Sequence, residues 1–400
     1  MDKQINLAII ASHPIQYYAP LFQCMAQDSV LNIKVFYLWD FGVTDQVDQG
    51  FKQSLKWDIP LLNGYDFEFV ANVSKDCGTH HIFGLKNPTL TEQVLAFKPD
   101  AILLTVSYNY ASIYRFLWQL RNKIANKNIP IIFRGDSHRI LVKNNLKSNL
   151  KRLIIAKIFQ SFAACLYVGK ANYEYFRYHF VQEHKLFFAP HAIDGHRFSD
   201  PKNNLSEQAQ TWKQELGISP EHRVILFAGK FEDKKHPLDL IRAFIDAELT
   251  SVSLLLVGAG DLESEMRDIT KPNQYIYFAP FQNQSLMPRT YAVCDIFVLP
   301  SYGNGETWGL AINEAMSMGK AVIVSNHVGC AADLVKPLQN GLIFEAGNVA
   351  VLTGCLREAL SDRDRLKRWG EESKNIVLEY SYEHILKGLK QAIAYIQTNK

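Results

Sequence analysis

The chain has 400 residues, of which 48% are hydrophobic and 21% are charged, and its formal net charge is +3. This balance is typical of a globular protein with two or three domains, and it does not support general nucleic-acid binding. No two of the six cysteines form a C-x-x-C pair, and no apolar run reaches about 18 residues, so the sequence predicts no disulfide framework, zinc site or transmembrane helix.

The first half of the chain alternates short apolar strands with amphipathic helices. The strands are continuous runs of Val, Ile, Leu and Phe, which is typical of a parallel sheet that helices cover on both faces. Segment 40–80 is less regular, and we expect it to contain an insertion or an antiparallel piece. The predicted strands lie at 5–11, 32–38, 101–106, 130–135 and 165–169. The predicted helices lie at 17–27, 89–97, 111–126, 147–163 and 171–180.

A polar segment over 190–222, rich in Pro, Asn and Asp at its start, breaks this pattern and predicts a linker. Two series of strands and helices predict an α/β protein, with two Rossmann-like doubly wound parallel-sheet domains that face a central cleft. We place the N-terminal domain at 1–193 and the C-terminal domain at 194–380. Ligands bind beyond the carboxyl ends of parallel strands, so the residues after each strand are the first site candidates. The second series of strands lies at 224–229, 253–258, 275–280, 295–300, 321–325 and 341–345.

The segment 304–325 contains two glutamates in an apolar setting. Glu314 lies with Asn313 and Ser317 on a narrow polar face of a helix that is otherwise apolar. A buried carboxylate needs a partner. A salt bridge would supply one, and so would two hydroxyls of a ligand diol such as a ribose.

The start of the same helix is a second candidate feature. If the helix starts near Trp308, the backbone amides of Trp308, Gly309 and Leu310 lack partners within it, and such a terminus binds phosphate. Gly309 allows a close approach of the backbone. Glu306 lies in the preceding turn, so a ligand with ribose, diphosphate and sugar could span these features.

Two lysines follow the strand at 224–229. Lys230 and Lys235 lie past its carboxyl end, where two fixed cations could neutralise a diphosphate leaving group without a metal. An ordinary solvated loop would contain the same lysines, so this segment alone does not decide between the two readings.

One sequence imitates a metal site. Asp362-Arg363-Asp364 matches the D-x-D of some sugar-transferring enzymes, but its charged surroundings are typical of an exposed helix face. We therefore predict no metal and no other cofactor.

In combination, these motifs resemble those of the retaining, GT-B-fold glycosyltransferases of family GT4. The family's segment of a glycine, a basic residue and a later lysine is matched by Gly229, Lys230 and Lys235. Its E-x7-E motif is matched by Glu306 and Glu314. The two motifs in this order are far more specific than either alone.

Two further segments extend the resemblance. The crossover between the family's domains is matched at 189–198, and its last helix at 380–389. That helix returns to the N-terminal domain in the family, which implies the same for a helix at about 381–400. The resemblance is good over about 165–390 and looser elsewhere.

The sequence departs from the family pattern at three places. Lys230 replaces the usual Arg, so bidentate phosphate geometry is lost there. His191 replaces the crossover Asn, and Ser12–Gln16 replaces a loop that is often glycine-rich.

The resemblance implies a nucleotide-sugar donor on the C-terminal domain and an acceptor on the N-terminal one. Glu314 would hold the ribose hydroxyls, Lys235 with Lys230 would stabilise the leaving diphosphate, and Glu306 would orient the donor sugar. Phe281 would lie near the base. The predicted donor-binding residues are Gly229, Lys230, Lys235, Phe281, Glu306, Trp308, Gly309, Leu310 and Glu314.

The loop Ser12–Gln16 follows the first strand and should face the cleft. We expect His13 and Gln16 to contact donor phosphates or the acceptor. A structural role in the turn would also explain His13.

Many relatives place a histidine near the transferred sugar, after the strand at 130–135. Counting along the chain puts Asp136 nearest to that point, yet we favour His138 as the catalytic residue there, alongside Glu306 and Lys235. Asp136 and Arg134 are the alternatives, and a cluster that only fixes the loop would contain the same residues.

We therefore expect a metal-independent, retaining glycosyltransferase that acts on a glycan, a lipid-linked saccharide or a small molecule, in bacterial surface polysaccharide or glycoconjugate synthesis. A sugar-nucleotide epimerase or hydrolase would use a similar cleft. A non-catalytic sugar-nucleotide-binding partner is a third reading, against which the presence of both glutamates and both lysines argues.

A basic amphipathic helix over 143–162 indicates peripheral contact with an anionic membrane surface. A solvated helix face would explain the same residues. We expect a cytoplasmic protein, peripheral at the inner face of the membrane if this helix docks there. The basic residues are Lys143, Lys147, Lys151, Arg152 and Lys157.

Overall fold

The structure is a computed structural model, and it describes residues 4–48, 50–123, 129–141, 146–199 and 204–399. The strands of the first half are β1 Ile5–Ala11, β2 Leu31–Tyr37, β3 Gln46–Asp48, β4 Gln53–Leu55, β5 Asp66–Phe69, β6 Ala101–Leu104, β7 Ile131–Arg134, β8 Ala164–Tyr167 and β9 Leu186–Phe188. Its helices are α1 Ala19–Gln27, α2 Leu90–Ala96, α3 Ala111–Lys123, α4 Leu146–Phe159 and α5 Lys170–Tyr178.

The second half repeats this alternation. Its strands are β10 Arg223–Ala228, β11 Val252–Val257, β12 Ile276–Ala279, β13 Ile296–Leu299, β14 Ala321–Ser325 and β15 Gly341–Phe344. Its helices are α6 Leu205–Glu215, α7 Pro237–Ala247, α8 Glu263–Thr270, α9 Met287–Ala292, α10 Leu310–Ser317, α11 Ala331–Leu334, α12 Val349–Leu360, α13 Arg363–Val377 and α14 Tyr382–Thr398.

The strands form two parallel sheets, which confirms the predicted α/β class. The first has the order β5-β2-β1-β6-β7-β8-β9 and the second the order β12-β11-β10-β13-β14-β15. Successive residues of β1 enter different cores, with Leu7 in one and Ala8 in the other. Both faces of the sheet are therefore buried, which is why the strands are continuous apolar runs.

Several elements differ from the prediction. Helix α6 lies inside the segment that we predicted to be a linker. The sequence pattern did not indicate this polar helix because only Ala209 and Trp212 of it are buried. The edge strands β5 and β9 have only 4 and 3 residues, too few for a recognisable apolar run. The antiparallel piece expected within 40–80 is a hairpin of β3 and β4.

The last helix, α14, packs on the first sheet rather than on the second. Ile385 and Leu389 share a core with Leu7 and Ile9 of β1. Each fully buried side chain of this size stabilises the fold by roughly 2 kcal/mol. The chain therefore crosses between its two halves twice, once before α6 and once before α14.

Candidate active site

A cleft of about 450 Å³ lies at the carboxyl ends of the strands and takes its lining from both halves of the chain. Most of the predicted site residues meet here, and His138 is absent from the lining. The predicted residues that line the cleft are His13, Gln16, Asp136, Gly229, Lys230, Lys235, Phe281, Glu306, Trp308, Gly309, Leu310 and Glu314.

A larger cavity, of about 650 Å³, lies elsewhere in the second half. Its lining includes His222, Asp295 and Lys320, which immediately precede or begin strands of the second sheet at their amino ends. Ligands of such sheets bind at the carboxyl ends, so we assign the candidate site to the smaller cleft.

Glu314 is buried in α10, and hydroxyl groups are its partners. Only 2% of its surface is exposed. Its Oε1 accepts a 3.1 Å hydrogen bond from the Tyr17 hydroxyl, and its Oε2 accepts one of 2.8 Å from Tyr291. Burial raises the pKa of Glu314, against the opposing effects of the positive charge of Arg197 and of the two hydroxyls. The site thus holds a carboxylate that already binds two hydroxyl groups.

The start of α10 presents free backbone donors to the cleft. The helix begins at Leu310, and its N-cap Gly309 has a φ of +97°. A Cβ at Gly309 would lie 2.9 Å from Cγ1 of Val328, so glycine is needed for space as well as for conformation. Within the described ranges, the N–H groups of Gly309, Leu310 and Ala311 have no acceptor. Such a helix start binds anions.

The two predicted lysines face the cleft, each with a carboxylate as partner. Lys235 pairs with Glu306, which also accepts a 3.1 Å hydrogen bond from Oγ of Ser301. Lys230 lies 2.8 Å from Oδ1 of Asp48, which belongs to the β3–β4 hairpin of the first half. An incoming phosphate would have to replace these carboxylates as the anionic partner of the lysines.

Asp48 is held ionised at this contact. Burial acts to raise its pKa, but Lys230 and the backbone amides of Phe51 and Gly50 lower the pKa below its ordinary value. The β3–β4 hairpin therefore carries a fixed negative charge into the cleft.

Three aromatic rings from the two halves meet beside these groups. Phe281, after β12, lies 4.5 Å from Phe51 and 6.3 Å from Trp57, measured between ring centroids. Nζ of Lys230 lies 4.9 Å from the centroid of the Phe51 ring. Phe281 therefore forms an aromatic wall of the cleft together with the hairpin.

Polar contacts fasten the chain after the hairpin to the loop after β12. Asn283 donates a 2.8 Å hydrogen bond to the Lys56 carbonyl, and the backbone N–H of Ser285 donates one of 3.1 Å to Asp58. These contacts hold the aromatic wall in place.

The loop after β1 faces the cleft as predicted. The His13 ring lies 5.5 Å from the rings of both Trp39 and Phe41, and its Nδ1 lies 3.1 Å from Oγ of Ser12. Burial lowers the pKa of His13 to about 4, with Asp48 opposing, so its ring is neutral at pH 7. Gln16 is buried in the same wall.

Asp136, not His138, faces the cleft after β7. Oδ2 of Asp136 accepts a 2.7 Å hydrogen bond from Thr307 and lies 3.4 Å from Nε2 of His191. Burial acts to raise the pKa of Asp136, but His191, Thr307 and Arg134 together lower it to about 2. A carboxylate that stays ionised therefore occupies this position.

His138, which the sequence analysis favoured, is not part of this lining, and its catalytic role stays a prediction. Its Nδ1 accepts the backbone N–H of Ile140 at 3.3 Å, and burial lowers its pKa against the opposing effects of the Glu306 backbone and of Asp136. Arg134 is fully buried and donates to Tyr18 and to the Pro190 carbonyl, so it fixes the crossover.

Trp308 has a structural role in addition to its place in the lining. Its ring is buried, and its Nε1 donates a 2.8 Å hydrogen bond to Asn313. The Asn313 amide in turn donates to the His191 carbonyl at 3.3 Å. Trp308 thus ties the start of α10 to the crossover.

One group of side chains outside the cleft has the spacing of metal ligands, among the residues that the structure describes. Asp76, His80 and His81 bring their ligand atoms within 4.8 Å of one another in an exposed loop. Nδ1 of His81 accepts the N–H of Phe83, so in the neutral ring Nε2 carries the proton and cannot bind a metal. Asp362 of the D-x-D sequence caps α13 by accepting the N–H of Asp364.

Among the cleft residues that escaped the sequence analysis are Tyr17, Asp48, Phe51, Trp57 and Tyr291. Tyr17 directly follows the loop Ser12–Gln16, and this position next to a predicted cleft loop could have identified it as a cleft residue. The other four come from an irregular segment or from a short helix, and nothing in their local pattern marks them.

The chain is similar to known proteins in sequence and in structure. Residues 208–376 match the family model of glycosyl transferases group 1. Over 194 residues the chain is 27% identical to D-inositol 3-phosphate glycosyltransferase of Nocardia farcinica, which covers 45% of this chain and 42% of that relative. The chain therefore spans less than half of the length of that relative.

The whole chain also resembles solved structures. A glycosyltransferase from Rickettsia africae has a TM-score of 0.72 at 15% identity, over 99% of this chain and 100% of that one. Anabaena HepE in complex with UDP and glucose has a TM-score of 0.71 at 16% identity, over 98% and 100%. At such identities the likeness concerns the fold. The segment 208–376 thus matches the family of glycosyl transferases group 1, and the chain that contains it has the GT-B fold.

Proposed function

We propose that the protein transfers a sugar from a nucleotide-sugar donor to an acceptor bound on the N-terminal side of the cleft. The observation that carries this proposal is the meeting of Glu314, the open amides of α10 and the lysines Lys230 and Lys235 in one cleft. A ribose diphosphate requires a carboxylate that accepts hydrogen bonds from the two ribose hydroxyls, and a helix start and two cations that bind the diphosphate.

In the proposed reaction, the bond between the sugar C1 and the diphosphate oxygen breaks as the acceptor oxygen bonds to C1 on the same face. The acceptor proton passes to the leaving diphosphate, and the configuration is retained. Lys230, Lys235 and the α10 amides stabilise the charge that develops on the diphosphate, so no metal is needed. Glu306, once released from Lys235, orients the sugar, and Asp136 positions the acceptor from the opposite wall.

The acceptor in this proposal is a glycan, a lipid-linked saccharide or a small molecule of bacterial surface polysaccharide or glycoconjugate synthesis. The supporting observation is that His13, Gln16 and Asp136 of the first half line the same cleft as the lysines. These side chains offer polar groups to a sugar hydroxyl.

Thermal-shift measurements with UDP-, GDP- and ADP-sugars test the donor, because a ligand of the native state raises its melting temperature. Turnover with the stabilising donor follows, with and without EDTA. We expect Glu314→Gln to abolish the shift and the exposed Glu371→Gln to keep it. A wild-type protein that no nucleotide sugar stabilises would overturn the proposal.

Other enzyme classes give different results in the same assay. An epimerase would form the epimeric sugar nucleotide in the absence of acceptor. A hydrolase would release free sugar from the donor as fast without acceptor as with it. A non-catalytic binding partner would show the thermal shift and no product with any acceptor. We expect product to form only when acceptor is present. NMR of the product should show the same α or β configuration at the sugar C1 as in the donor.

We further propose that α4 contacts an anionic membrane surface, which would suit a lipid-linked acceptor. Leu150, Leu153 and Ile154 of this helix are 64%, 61% and 57% exposed. Of the predicted basic residues, Arg152 is engaged elsewhere, since it donates a 2.7 Å hydrogen bond to the Tyr178 carbonyl. Lys143 lies outside the described residues. No described helix is both long and apolar enough to cross a membrane.

Co-sedimentation with anionic liposomes tests this contact. The triple change Leu150→Ser, Leu153→Ser and Ile154→Ser should reduce binding. The matched control, Leu338→Ser with Leu378→Ser, removes similarly exposed apolar side chains from the other half. Equal binding by all three proteins would exclude α4 as the contact.

A further inference from the structure

The larger cavity of the second half is lined mainly by cations. This cavity, of about 650 Å³, lies at the amino ends of the second sheet, whereas the candidate active site lies at the carboxyl ends. Two carboxylates, Glu221 and Asp295, also line it, so its described lining has an excess of three positive charges when His222 is counted as neutral. A concave surface that concentrates one sign of charge attracts ions of the opposite sign. The cations of the lining are Lys213, Arg223, Lys320, Arg363 and Lys367.

In the described part of the chain, none of these five cations forms an ion pair with a carboxylate. Asp362, at the start of α13, pairs with Arg368 instead, which is not part of the lining. Asp295 is engaged as well, because its Oδ2 accepts a 2.7 Å hydrogen bond from the backbone N–H of Val224. The protein itself therefore neutralises the positive charge of this cavity only in part.

Hydrogen bonds to backbone carbonyls hold two half-buried lysines of the lining in place. Nζ of Lys213 donates to the His222 carbonyl at 2.6 Å and to a second carbonyl at 3.0 Å. Nζ of Lys320 donates to the Cys294 carbonyl at 2.6 Å and to a second carbonyl at 3.1 Å. An ammonium group has three N–H donors, and the described ranges contain no acceptor for the third. The cavity thus offers charges whose positions are fixed before a ligand binds.

The same cations are costly to hold together in the protein alone. Burial lowers the pKa of Lys213, and the positive charge of Arg363 lowers it as well. The carboxylates of Asp295 and Glu221 oppose these effects without cancelling them. Burial also lowers the pKa of Arg223, with Arg363 acting in the same direction and Asp295 against it. An anion bound between these side chains would offset both the lost hydration and the repulsion.

We infer that this cavity binds a phosphate or diphosphate group, either as the free inorganic anion or as part of a small phosphorylated molecule. Phosphate oxygens accept several hydrogen bonds at once, and lysine and arginine are the side chains that bind them most strongly. The volume of about 650 Å³ is in the range of cavities that bind small molecules. The site is separate from the donor cleft and does not depend on the proposed function.

The ligand would connect two helices that border the crossovers. Helix α6 is the first helix after the chain enters its second half, and α13 is the last one before α14 returns to the first sheet. Gln210 of α6 and Lys367 of α13 both line the cavity. An anion held between these helices should therefore slow the local opening of both.

Hydrogen exchange measured by mass spectrometry locates the site in the full-length protein. The probes are inorganic phosphate, pyrophosphate and UDP, each at low ionic strength because salt screens exposed charges. We expect pyrophosphate to slow amide exchange in α6 and at the start of α13 by about twofold or more. Protection by the inorganic anions but not by UDP would assign the site to a free anion. Protection by UDP as well would show that the bound group can carry a larger molecule.

Two substitutions in the lining test the role of its charge. The pyrophosphate concentration that gives half of the protection in α6 measures affinity for this cavity, whatever binds in the donor cleft. Arg363→Gln combined with Lys367→Gln removes two exposed cations and should raise that concentration by about tenfold. The matched control, Arg242→Gln with Lys271→Gln, removes the same charge from other exposed positions of the same half and should keep the wild-type value.

A second variant separates charge from structure. Arg363 donates a 3.0 Å hydrogen bond to the Glu221 carbonyl, so its replacement also removes a contact within the protein. Lys367→Gln alone changes the charge of the lining and should still raise the half-protecting concentration about threefold, with an unchanged melting temperature.

Two results would overturn the inference. One is unchanged exchange in α6 and α13 in the presence of all three anions. The other is the same half-protecting concentration in the lining variants and in the control, because the anion would then respond only to the net charge of the protein.

Discussion

The hydroxyl of Tyr17 donates a 3.1 Å hydrogen bond to Oε1 of Glu314, although the two residues belong to opposite sides of the cleft. Asp48 meets Lys230 across the same cleft at 2.8 Å. In both pairs the first half of the chain supplies the kind of group that a donor would bring, a hydroxyl in one case and an anion in the other. Under the proposed function, donor binding would therefore compete with contacts between the halves.

Replacement of Tyr17 tests this competition at the ribose position. Tyr17→Phe removes the hydroxyl that occupies Glu314 while keeping the ring, so we expect the donor KM to fall by about two- to tenfold. Stability should decrease by about 1 kcal/mol, the usual net value of one hydrogen bond. Tyr291→Phe is the comparison. Tyr291 is fully buried, so we expect its replacement to weaken donor binding. A raised KM in both variants would mean that Tyr17 assists the donor.

Replacement of Asp48 tests the competition at the phosphate position. Asp48→Asn keeps the shape of the hairpin contact but removes the charge that neutralises Lys230. We expect tighter donor binding, by about two- to tenfold, with a steeper salt dependence because Lys230 is then free. The exposed Asp45→Asn, three residues earlier on the same segment, is the control. Unchanged affinity in Asp48→Asn would argue that the phosphate does not reach Lys230.

The two residues after β7 should differ in their importance for activity. Asp136 faces the cleft and His138 does not, so Asp136→Asn should lower kcat by about 100-fold, whereas His138→Gln should change it by less than about fivefold. Steady-state kinetics at saturating donor would measure both. The reverse order would restore His138 as the catalytic residue and imply that the loop moves when donor binds.

Gly309 should tolerate no side chain, for reasons of backbone and of space. Gly309→Ala places a Cβ at a φ of +97° and 2.9 Å from Val328, so we expect a loss of about 1–3 kcal/mol in the free energy of unfolding, together with weaker donor binding. Gly354 in α12 has nothing within 4 Å of its Cβ position. Gly354→Ala should therefore stabilise the protein by about 0.5–1 kcal/mol, and urea unfolding would measure both. Equal effects of the two changes would contradict this account.

His13 should make stability depend on pH in the acid range. Its pKa is about 4 in the folded protein against an ordinary value of 6.5. Between these values the unfolded chain binds more protons at this site, so stability falls as pH drops from 6.5 toward 4 and is unaffected above 6.5. Because other histidines are also buried, the test compares wild type with His13→Gln by urea unfolding at pH 7 and pH 5. The variant should lose less stability between the two; an equal loss would exclude His13.

The sequence predicted those features that leave a local mark. A strand buried on both faces must be apolar throughout, so β1 and β10 could be recognised from composition alone. Glu314 was recognisable because a carboxylate is costly in an apolar helix unless it has a partner. Gly309 and the lysines after β10 followed from where parallel strands end.

The remaining features depend on contacts between distant segments. Asp48 and Phe51 matter because a hairpin crosses the cleft, and no period or spacing in segment 40–80 records that crossing. Asp136 and His138 are two residues apart after β7, and only the path of the loop decides which one faces the cleft. Helix α6 was missed because its apolar face consists of two buried residues.

The place of α14 has a consequence for how the protein is made. Leu7 and Ile9 near the start of the chain share their core with Ile385 and Leu389 near its end. During synthesis that face of the first sheet is covered only in part, by Leu21, Phe22 and Met25 of α1, until the second half has been translated and α14 has left the ribosome. The half that is made first is therefore the last to complete its core, and a fragment that stops before α14 would present this apolar face to water.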